Sequence, residues 1–543
     1  MSIEQYKKII EEQGLDEDLY ILGIDLGTTH SVISYWHQQK HTPEPIDMSN
    51  GFGKIPLPCV IQYRKEELDE EWIVGTEALN TYVIFPEATA MSIKSFMGTN
   101  QPIVLNSQSF SPEELSAMVL RALFNQIKSM NPKSSIAGIV VSVPYDFDDA
   151  AKKATISACQ LAGIQDELIC LIEEPKAAAL TYSYHHPFNS GEKVMVFDFG
   201  GGTLDITLFG VEQVSAREQT LKVLSEGGQA KHGGDILDAL LYDYFLQCIR
   251  DKGHPIETLS KENHAEIKMR ARETKERLSG TQKVRVPFAF CVPPFVLSMT
   301  REDLERVGQA FIDKTKLFVV KTLQEAYQGA IKPEDVDRIL LTGGSSQMPW
   351  VKKMMIHLFQ DQEKIYVTDR PALDISLGAT IYAAMKMGVH TQTELTTGRQ
   401  YMNFEVCVPH DIGFEIEVDA VRTFYTMISR GTPYRLARRA QIFTIDGETQ
   451  EDMTHLSVRI LERIHKDKGV DGCSVIGDVE VAGLPRRPRG QTQIKVTLSI
   501  DEETGTIQGE VEDLGYGQNY SPSGFKQMFI PKRHQTTVVQ SER

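Results

Sequence analysis

The strongest constraint on this chain is a repeat inside it. YILGIDLGTTHSVISYW at positions 20–36 and VMVFDFGGGTLDITL at positions 194–208 follow one plan: an apolar strand meets an aspartate, passes an apolar residue and glycine, and leaves as a second alternating run. Asp25 and Asp198 fall at the same place in the two copies. Glycine serves where φ must turn positive or where another group must touch the backbone. Either stretch alone reads equally well as a hairpin with an acid in it. Together, each followed by helical and strand patterns of comparable length, they imply two related halves facing each other across a cleft.

The chemistry of such a cleft follows from the residue types. A glycine-bearing turn presents backbone N–H groups that form an anion-binding concavity, and two opposed turns can hold a chain of phosphates from both sides. Thr28, Thr29 and Thr203 add hydroxyl donors. An aspartate at each turn repels phosphate but suits a hydrated Mg²⁺ that bridges to it. The pair therefore implies a metal–nucleotide complex. Neither the P-loop pattern nor a G-x-G-x-x-G after a strand is present.

Three further segments complete the expected cleft. LICLIEEPKAAAL at 168–180 is a strand ending in two acids and a proline, then a helix of small residues, with Glu174 at the turn. KHGGDILDALL at 231–241 puts Gly233 and Gly234 at a helix start, an expected phosphate-facing or ribose-facing backbone site. DRILLTGGSSQMP at 337–349 opens a buried strand through Gly343 and Gly344, suited to a flat base or sugar lying on bare backbone.

Composition bounds the rest. A chain of 543 residues exceeds one hydrophobic core, and its net charge of -17 argues against a broad nucleic-acid surface. Basic clusters at Arg435, Arg438, Arg439 and at Arg486, Arg487, Arg489 read as solvated loops or strand edges. The seven cysteines are scattered without metal-ligand spacing and read as reduced, mostly buried residues. No apolar stretch is long enough to span a bilayer. The N-terminus reads as a charged amphipathic helix carrying Ile3, Tyr6, Ile9 and Ile10, so no signal peptide, no membrane and a cytoplasmic location are expected.

The ordered set DLGTT, VP, EPKAAA, DFGGGT, GGD and GGSSQMP resembles the actin-like ATPase superfamily, and specifically the DnaK-type seventy-kilodalton heat-shock chaperones. The resemblance covers about residues 20–388 and resumes over 405–515, where IGDVEVAGLPRRPRGQTQIKVTLSID at 476–501 is similar to the central strands of the family's β-sandwich. It implies an α/β actin-like ATPase fold of two duplicated lobes, each with a five-stranded mixed sheet, followed by an all-β sandwich. The implied boundaries are an N-terminal extension over 1–19, a nucleotide-binding domain over 20–390, a linker over 391–404, a peptide-binding domain over 405–517 and a tail over 518–543 without a helical lid.

The implied activity is that of an ATP-dependent chaperone that hydrolyses ATP to ADP and phosphate and binds extended apolar client segments. By the same resemblance Asp25 and Asp198 organise the hydrated Mg²⁺, with Glu174 acting through water. Lys94, Glu174, Asp198 and Thr203 are the implied catalytic residues. Gly27, Thr28, Thr29, Gly200, Gly201, Gly202 and Thr203 match the phosphate loops; Gly233, Gly234, Lys275, Ser279, Gly343, Gly344 and Ser345 match further nucleotide contacts. ATP/ADP, Mg²⁺ and K⁺ are the implied ligands; unfolded or extended clients, a J-domain co-chaperone and a nucleotide-exchange factor are the implied partners.

This chain departs from the family pattern at several points. Glu276 stands where many relatives have an arginine stacking on adenine, and Arg272 where they have a glutamate. Lys152 replaces an arginine that often follows the proline at Pro144. The linker reads TTGRQYMNFEV at 396–406 instead of an aspartate followed by leucines. Two rival readings remain: a nucleotide-gated adaptor of one partner with little turnover, and a small-molecule kinase on the same fold, against which the β-sandwich motif argues.

Overall fold

The computed structural model describes residues 18–529 apart from 49–55, 67–68, 216–217, 328, 369, 390–401, 406, 409, 419–420, 446–454, 464–468, 489 and 502–506. The chain divides into two compact units, 1–147 with 151–404 and 148–150 with 405–543. The first seventeen residues of the expected N-terminal extension, most of the expected linker and the end of the expected tail lie outside the described residues.

The repeat in the sequence becomes a repeat of sheet order in the first unit. One sheet runs Ile169–Glu173, Ser135–Val143, Leu19–Asp25, His30–His37, Thr42–Pro45, with Leu57–Pro58 paired off this path to His30–His37. The other runs Ile365–Val367, Arg338–Thr342, Lys193–Phe199, Leu204–Ser215, Glu218–Gln229. In each, the first three strands are parallel and the next two antiparallel. A sixth strand, Met402–Glu405, joins the edge of the second sheet beside Glu218–Gln229, its first three residues falling in the segment expected to be linker.

Leu19–Asp25 and Lys193–Phe199 take corresponding central places, which explains their unbroken apolar runs: a central strand covered on both faces has no solvent side to make polar. Ile21, Leu22 and Ile24 are fully buried, as are Val194, Met195, Val196 and Phe197. Each strand delivers its aspartate, Asp25 or Asp198, at its C-terminal end, where open α/β sheets bind ligands.

Two helices cross near these strand ends. Asp374–Lys386 packs on the first sheet, and Glu174–His185 reaches the second. A Cβ on Gly378 would lie 1.8 Å from the Ala177 carbonyl oxygen, so bare backbone meets bare backbone there. The small residues after Glu174 serve this approach.

The second unit is built of two four-stranded antiparallel sheets. One runs Val421–Ile428, Asp411–Val418, His455–Arg463, Ser474–Ala482; the other runs Arg438–Thr444, Gln493–Ile500, Ile507–Gly515, Lys526–Phe529. Ile412, Phe414, Ile460, Val481, Val496 and Val511 share one core, as the inward faces of a sandwich must. Ile507–Gly515 alternates buried and half-buried residues along its length, the period of a half-buried strand.

The expected end of this domain at Gly517 needs correction, because Lys526–Phe529 pairs with Ile507–Gly515 beyond it. Pro522 and Gly524 do break a helix, but a short edge strand tolerates them upstream. Asp513 holds the intervening turn. It accepts from Arg487 Nη1 at 2.5 Å and Nη2 at 2.7 Å, from the Gly515 N–H at 3.1 Å and from the Ser523 N–H at 2.8 Å.

The Arg487 hydrogen bonds hold the Asp513 carboxyl far below the usual carboxylate range, against the opposing effect of burial. Its unfolded value is ~3.9, so the stability it contributes is complete above that pH and is lost as pH falls below it. Asp513→Asn is expected to destabilise the second unit by roughly 3–5 kcal/mol at neutral pH, since Arg487 is left buried without a counter-charge. The gap between variant and wild type should narrow below about pH 4. Urea unfolding at pH 7 and pH 3 checks both statements; equal stability at pH 7 would remove the pair from the account.

Candidate functional site

Most of the residues expected at the cleft surround a cavity of about 350 Å³ in the first unit. Its lining includes Asp25, Lys94, Glu174, Asp198 and Thr203 on one side. Lys275, Ser279, Gly343, Gly344 and Ser345 form another part of the wall. Gly27, Thr28, Thr29, Gly200 and Gly201 supply the turns.

The turns interlock. A Cβ on Gly201 would lie 1.8 Å from Thr29 Oγ1, and one on Gly202 would lie 2.6 Å from Thr28 Oγ1. The two glycine turns are therefore pressed together, and side chains there would force them apart. Gly343 has φ +79, and its Cβ would fall 2.5 Å from the Phe199 carbonyl oxygen and 2.6 Å from Asp198 Oδ1. Only glycine meets both demands at that strand end.

Gly233 and Gly234 pack tightly at the cleft: a Cβ on Gly234 would lie 2.5 Å from Ser345 Oγ and 2.9 Å from Lys275 Nζ. Neither they nor Gly202 line the cavity. The N–H of Gly234 donates to Gly200 O at 3.1 Å, and that of Asp235 to Gly201 O at 2.8 Å, so these donors of helix Gly234–Asp251 are spent on the neighbouring turn. A Cβ on Gly233 would meet Gly201 O at 2.2 Å. The helix start thus buttresses the Gly200–Gly202 turn.

Carboxylates crowd the floor. Glu174, Asp198 and Asp205 each offer an oxygen, all within 4.8 Å of one another. Lys94 donates to Glu174 Oε1, and both are buried. Asp25 accepts from Ser142 Oγ at 3.1 Å. Enclosure by the cleft walls, then the Glu174 carboxylate, push Asp25 up to about 7. Burial, then Glu174 and Asp25, raise Asp198 well above the carboxylate range. Burial alone would lower Lys94, but Glu174 and Asp25 reverse that and hold it charged.

Asp205 was not singled out from the sequence, although it lies in the quoted repeat. It sits opposite Asp198 across the strand pair and is fully buried. Neither of its carboxylate oxygens has a hydrogen-bond partner among the described residues. Burial, then the carboxylates of Asp146 and Glu174, raise it well above the usual range. The sequence carries no local signal for it, since Asp205 and Thr207 alternate with Leu204, Ile206 and Leu208 as a polar face would. Gln347 and Met348, which also line the cavity, carried no signal beyond lying after GGSS.

The exchanged charges at the mouth form a pair: Arg272 Nε donates to Glu276 Oε1 at 3.0 Å along helix Lys261–Gly280. Lys275, one turn along, donates to Asp238 Oδ2 at 2.7 Å and Gly234 O at 3.0 Å.

Mixed α/β sheets that bring glycine turns and buried acids to one cleft, followed by a β-sandwich, define a nucleotide-dependent two-domain protein. Comparisons narrow this. A family model described as Hsp70 protein matches residues 21–108 and 101–520. The chain is 30% identical over 535 residues to the chaperone protein DnaK of Thermotoga petrophila, covering 96% of this chain and 82% of the relative. The DnaK proteins of Thermosipho africanus (29% over 525 residues, 95% and 80% covered) and Metamycoplasma hominis (29% over 488 residues, 89% and 75% covered) are similar too. The chain belongs to the Hsp70 family and is an ATP-dependent molecular chaperone. Members of this family are ATPases that bind ATP or ADP with Mg²⁺. No helix among the described residues is long and apolar enough to cross a membrane.

Proposed function

We propose that this chain itself hydrolyses ATP in the cavity described above, and that turnover governs how the β-sandwich holds extended apolar segments. The observation that supports it is the buried Lys94–Glu174 pair facing Asp25, Asp198 and Asp205 beneath the glycine turns. Crowded carboxylates with raised affinity for protons, and Asp205 oxygens without partners, are a donor set that fits a hard divalent cation. Asp25, Asp198 and Asp205 would hold Mg²⁺, with Glu174 acting through water. When bound there, Mg²⁺ would supply positive charge to offset that of the phosphates.

The chain's own groups do the rest. Backbone N–H groups of Thr28, Thr29 and Gly201 orient the phosphates, those of Gly27 and Gly200 being given to Ser31 Oγ and Thr203 O, and Thr203 contributes a hydroxyl. Lys94 supplies positive charge where it develops on the transferred group. Glu174, fixed by Lys94, positions the attacking water. Lys275, Ser279, Gly343, Gly344 and Ser345 hold the nucleoside. The Arg272–Glu276 pair keeps both charges that relatives have at the mouth, in exchanged places.

On this reading residues 20–390 are two actin-like lobes, 391–404 the linker, and the peptide-binding sandwich runs from 405 through the strand at Lys526–Phe529. Clients are extended apolar segments, bound by main-chain pairing and side-chain pockets. A J-domain co-chaperone, a nucleotide-exchange factor, K⁺ and a cytoplasmic setting enter through the family alone. Steady-state phosphate release measured with and without an extended apolar peptide tests the reading. Mg²⁺-dependent turnover that rises with peptide is expected. Tight ATP binding without turnover would replace it by the nucleotide-gated adaptor.

A further inference from the structure

The turn that carries Lys94 is held from across the fold. Lys94 lies in the short helical turn Ile93–Phe96, and Ser92, the residue before it, is left-handed with φ 56 and ψ 33. A residue other than glycine keeps that conformation only where its surroundings over-determine it. A long-range bond supplies one such constraint: Ser92 Oγ donates to Asp235 Oδ2 at 2.7 Å, across 143 positions.

The bond joins the two halves of the internal repeat. Ser92 belongs to the chain between strands Leu57–Pro58 and Ser135–Val143 of the first sheet, whereas Asp235 opens the helix Gly234–Asp251 that follows the second sheet's strand Glu218–Gln229. A second contact runs between the same two segments, with Lys231 Nζ 6.0 Å from the Phe96 ring centroid. Asp235 also meets the Gly200–Gly202 turn. Its N–H donates to Gly201 O at 2.8 Å, and a Cβ on Gly201 would lie 3.4 Å from its Oδ1. One residue therefore grips the Lys94 turn through its side chain and the glycine turn through its backbone. Neither Ser92 nor Asp235 lines the first cavity.

We propose that Ser92 and Asp235 are positioning residues for hydrolysis: their bond fixes the Lys94 turn against the Gly200–Gly202 turn and so holds the Lys94 charge in register with the donors of that turn. The inference rests on the reading of Lys94 as a catalytic group in the first cavity. A carboxylate in the first turn of a helix is favoured by the helix dipole alone. That local role would leave the Lys94 turn indifferent to Asp235.

Three variants of the full chain test it: Ser92→Gly, Asp235→Ala and Asp235→Asn. Glycine removes the hydroxyl and suits the left-handed backbone. Asparagine keeps an acceptor oxygen, and alanine does not. Single-turnover hydrolysis is expected to fall about tenfold in Ser92→Gly and in Asp235→Ala, the effect of one charge-assisted hydrogen bond, and no further in the double variant, because both remove the same bond. Asp235→Asn should stay within about threefold of the wild-type rate. ADP affinity should stay within about threefold of wild type throughout, since no residue of the cavity wall is altered.

Amide hydrogen exchange over residues 92–98 of the ligand-free chain reads the turn without turnover. Ser95 N–H donates to Ser92 O and Met97 N–H to Lys94 O, each at 3.1 Å. Their protection is expected to fall about tenfold in Asp235→Ala and to be kept in Asp235→Asn. Wild-type protection in Asp235→Ala would overturn the proposal whatever the hydrolysis rates. So would an Asp235→Asn as impaired as Asp235→Ala, rate losses that multiply in the double variant, or ADP affinity that falls in step with the rate. If Lys94→Ala hydrolyses ATP at the wild-type rate, the catalytic reading of Lys94 fails instead, and the exchange comparison still decides whether Asp235 holds its turn.

Discussion

Asp198→Asn is expected to lose Mg²⁺-dependent ATP turnover by roughly 100-fold or more and to keep its fold. The asparagine fits the space left by Gly343, whose absent Cβ would have stood 2.6 Å from Asp198 Oδ1. It removes one negative charge from a buried group whose members repel each other. Because burial and the neighbouring carboxylates raise Asp198 well above its unfolded range, ionising it penalises the folded state at every pH above that range. Relieving this penalty should leave the metal-free variant at least as stable as wild type at pH 7. The two readouts are phosphate release at saturating Mg²⁺ and thermal melting in chelator. A variant that turns over ATP at the wild-type rate would move the metal-organising carboxylate elsewhere in the cleft.

Lys94→Ala should separate chemistry from binding. Lys94 meets Glu174 and lies 5.8 Å from the Phe147 ring centroid, buried from solvent. The many backbone donors of the turns are untouched by its removal. ATP affinity is therefore expected to stay near normal while the single-turnover rate falls by ~100-fold or more. Glu174, deprived of its counter-charge, also loses its fixed orientation, and thermal stability drops with it. Fluorescent nucleotide titration and rapid-quench hydrolysis read the two quantities. Weakened ATP binding with an intact single-turnover rate would make Lys94 a binding residue.

What the sequence disclosed and what it hid follow from how each residue works. Asp25 and Asp198 were legible because a strand, an acid and a glycine turn recur twice, and recurrence needs no knowledge of neighbours. Lys94 has no such local signature and was placed by family resemblance; only the fold brings it to Glu174, eighty positions away. Asp205 was hidden because an acid in an alternating strand reads as solvent-facing. Its neighbour across the ladder, Asp198, makes it part of the site.

Gly233 and Gly234 are ambiguous in the sequence for a different reason. Helix-entry glycines serve anion binding and close packing alike, and the choice depends on which acceptor stands opposite. Here the acceptors are Gly200 O and Gly201 O. The sandwich's last strand was missed because short edge strands carry little pattern. What anchors the approach to it is distant in sequence: Asp513 accepts from the Ser523 N–H, and Arg487, paired with Asp513, donates to the Ser521 carbonyl.

The strand Met402–Glu405 bears on how this sequence can change over time. Its place is at the edge of a sheet, beside Glu218–Gln229. Attachment along a sheet edge is written in amide and carbonyl groups, which every residue except proline carries alike. Side chains at Met402, Asn403, Phe404 and Glu405 can therefore change while the strand keeps its footing. Phe404 adds a ring contact to Phe209, with centroids 6.3 Å apart. Spelling drifts freely there, because the grammar of the attachment resides in the backbone.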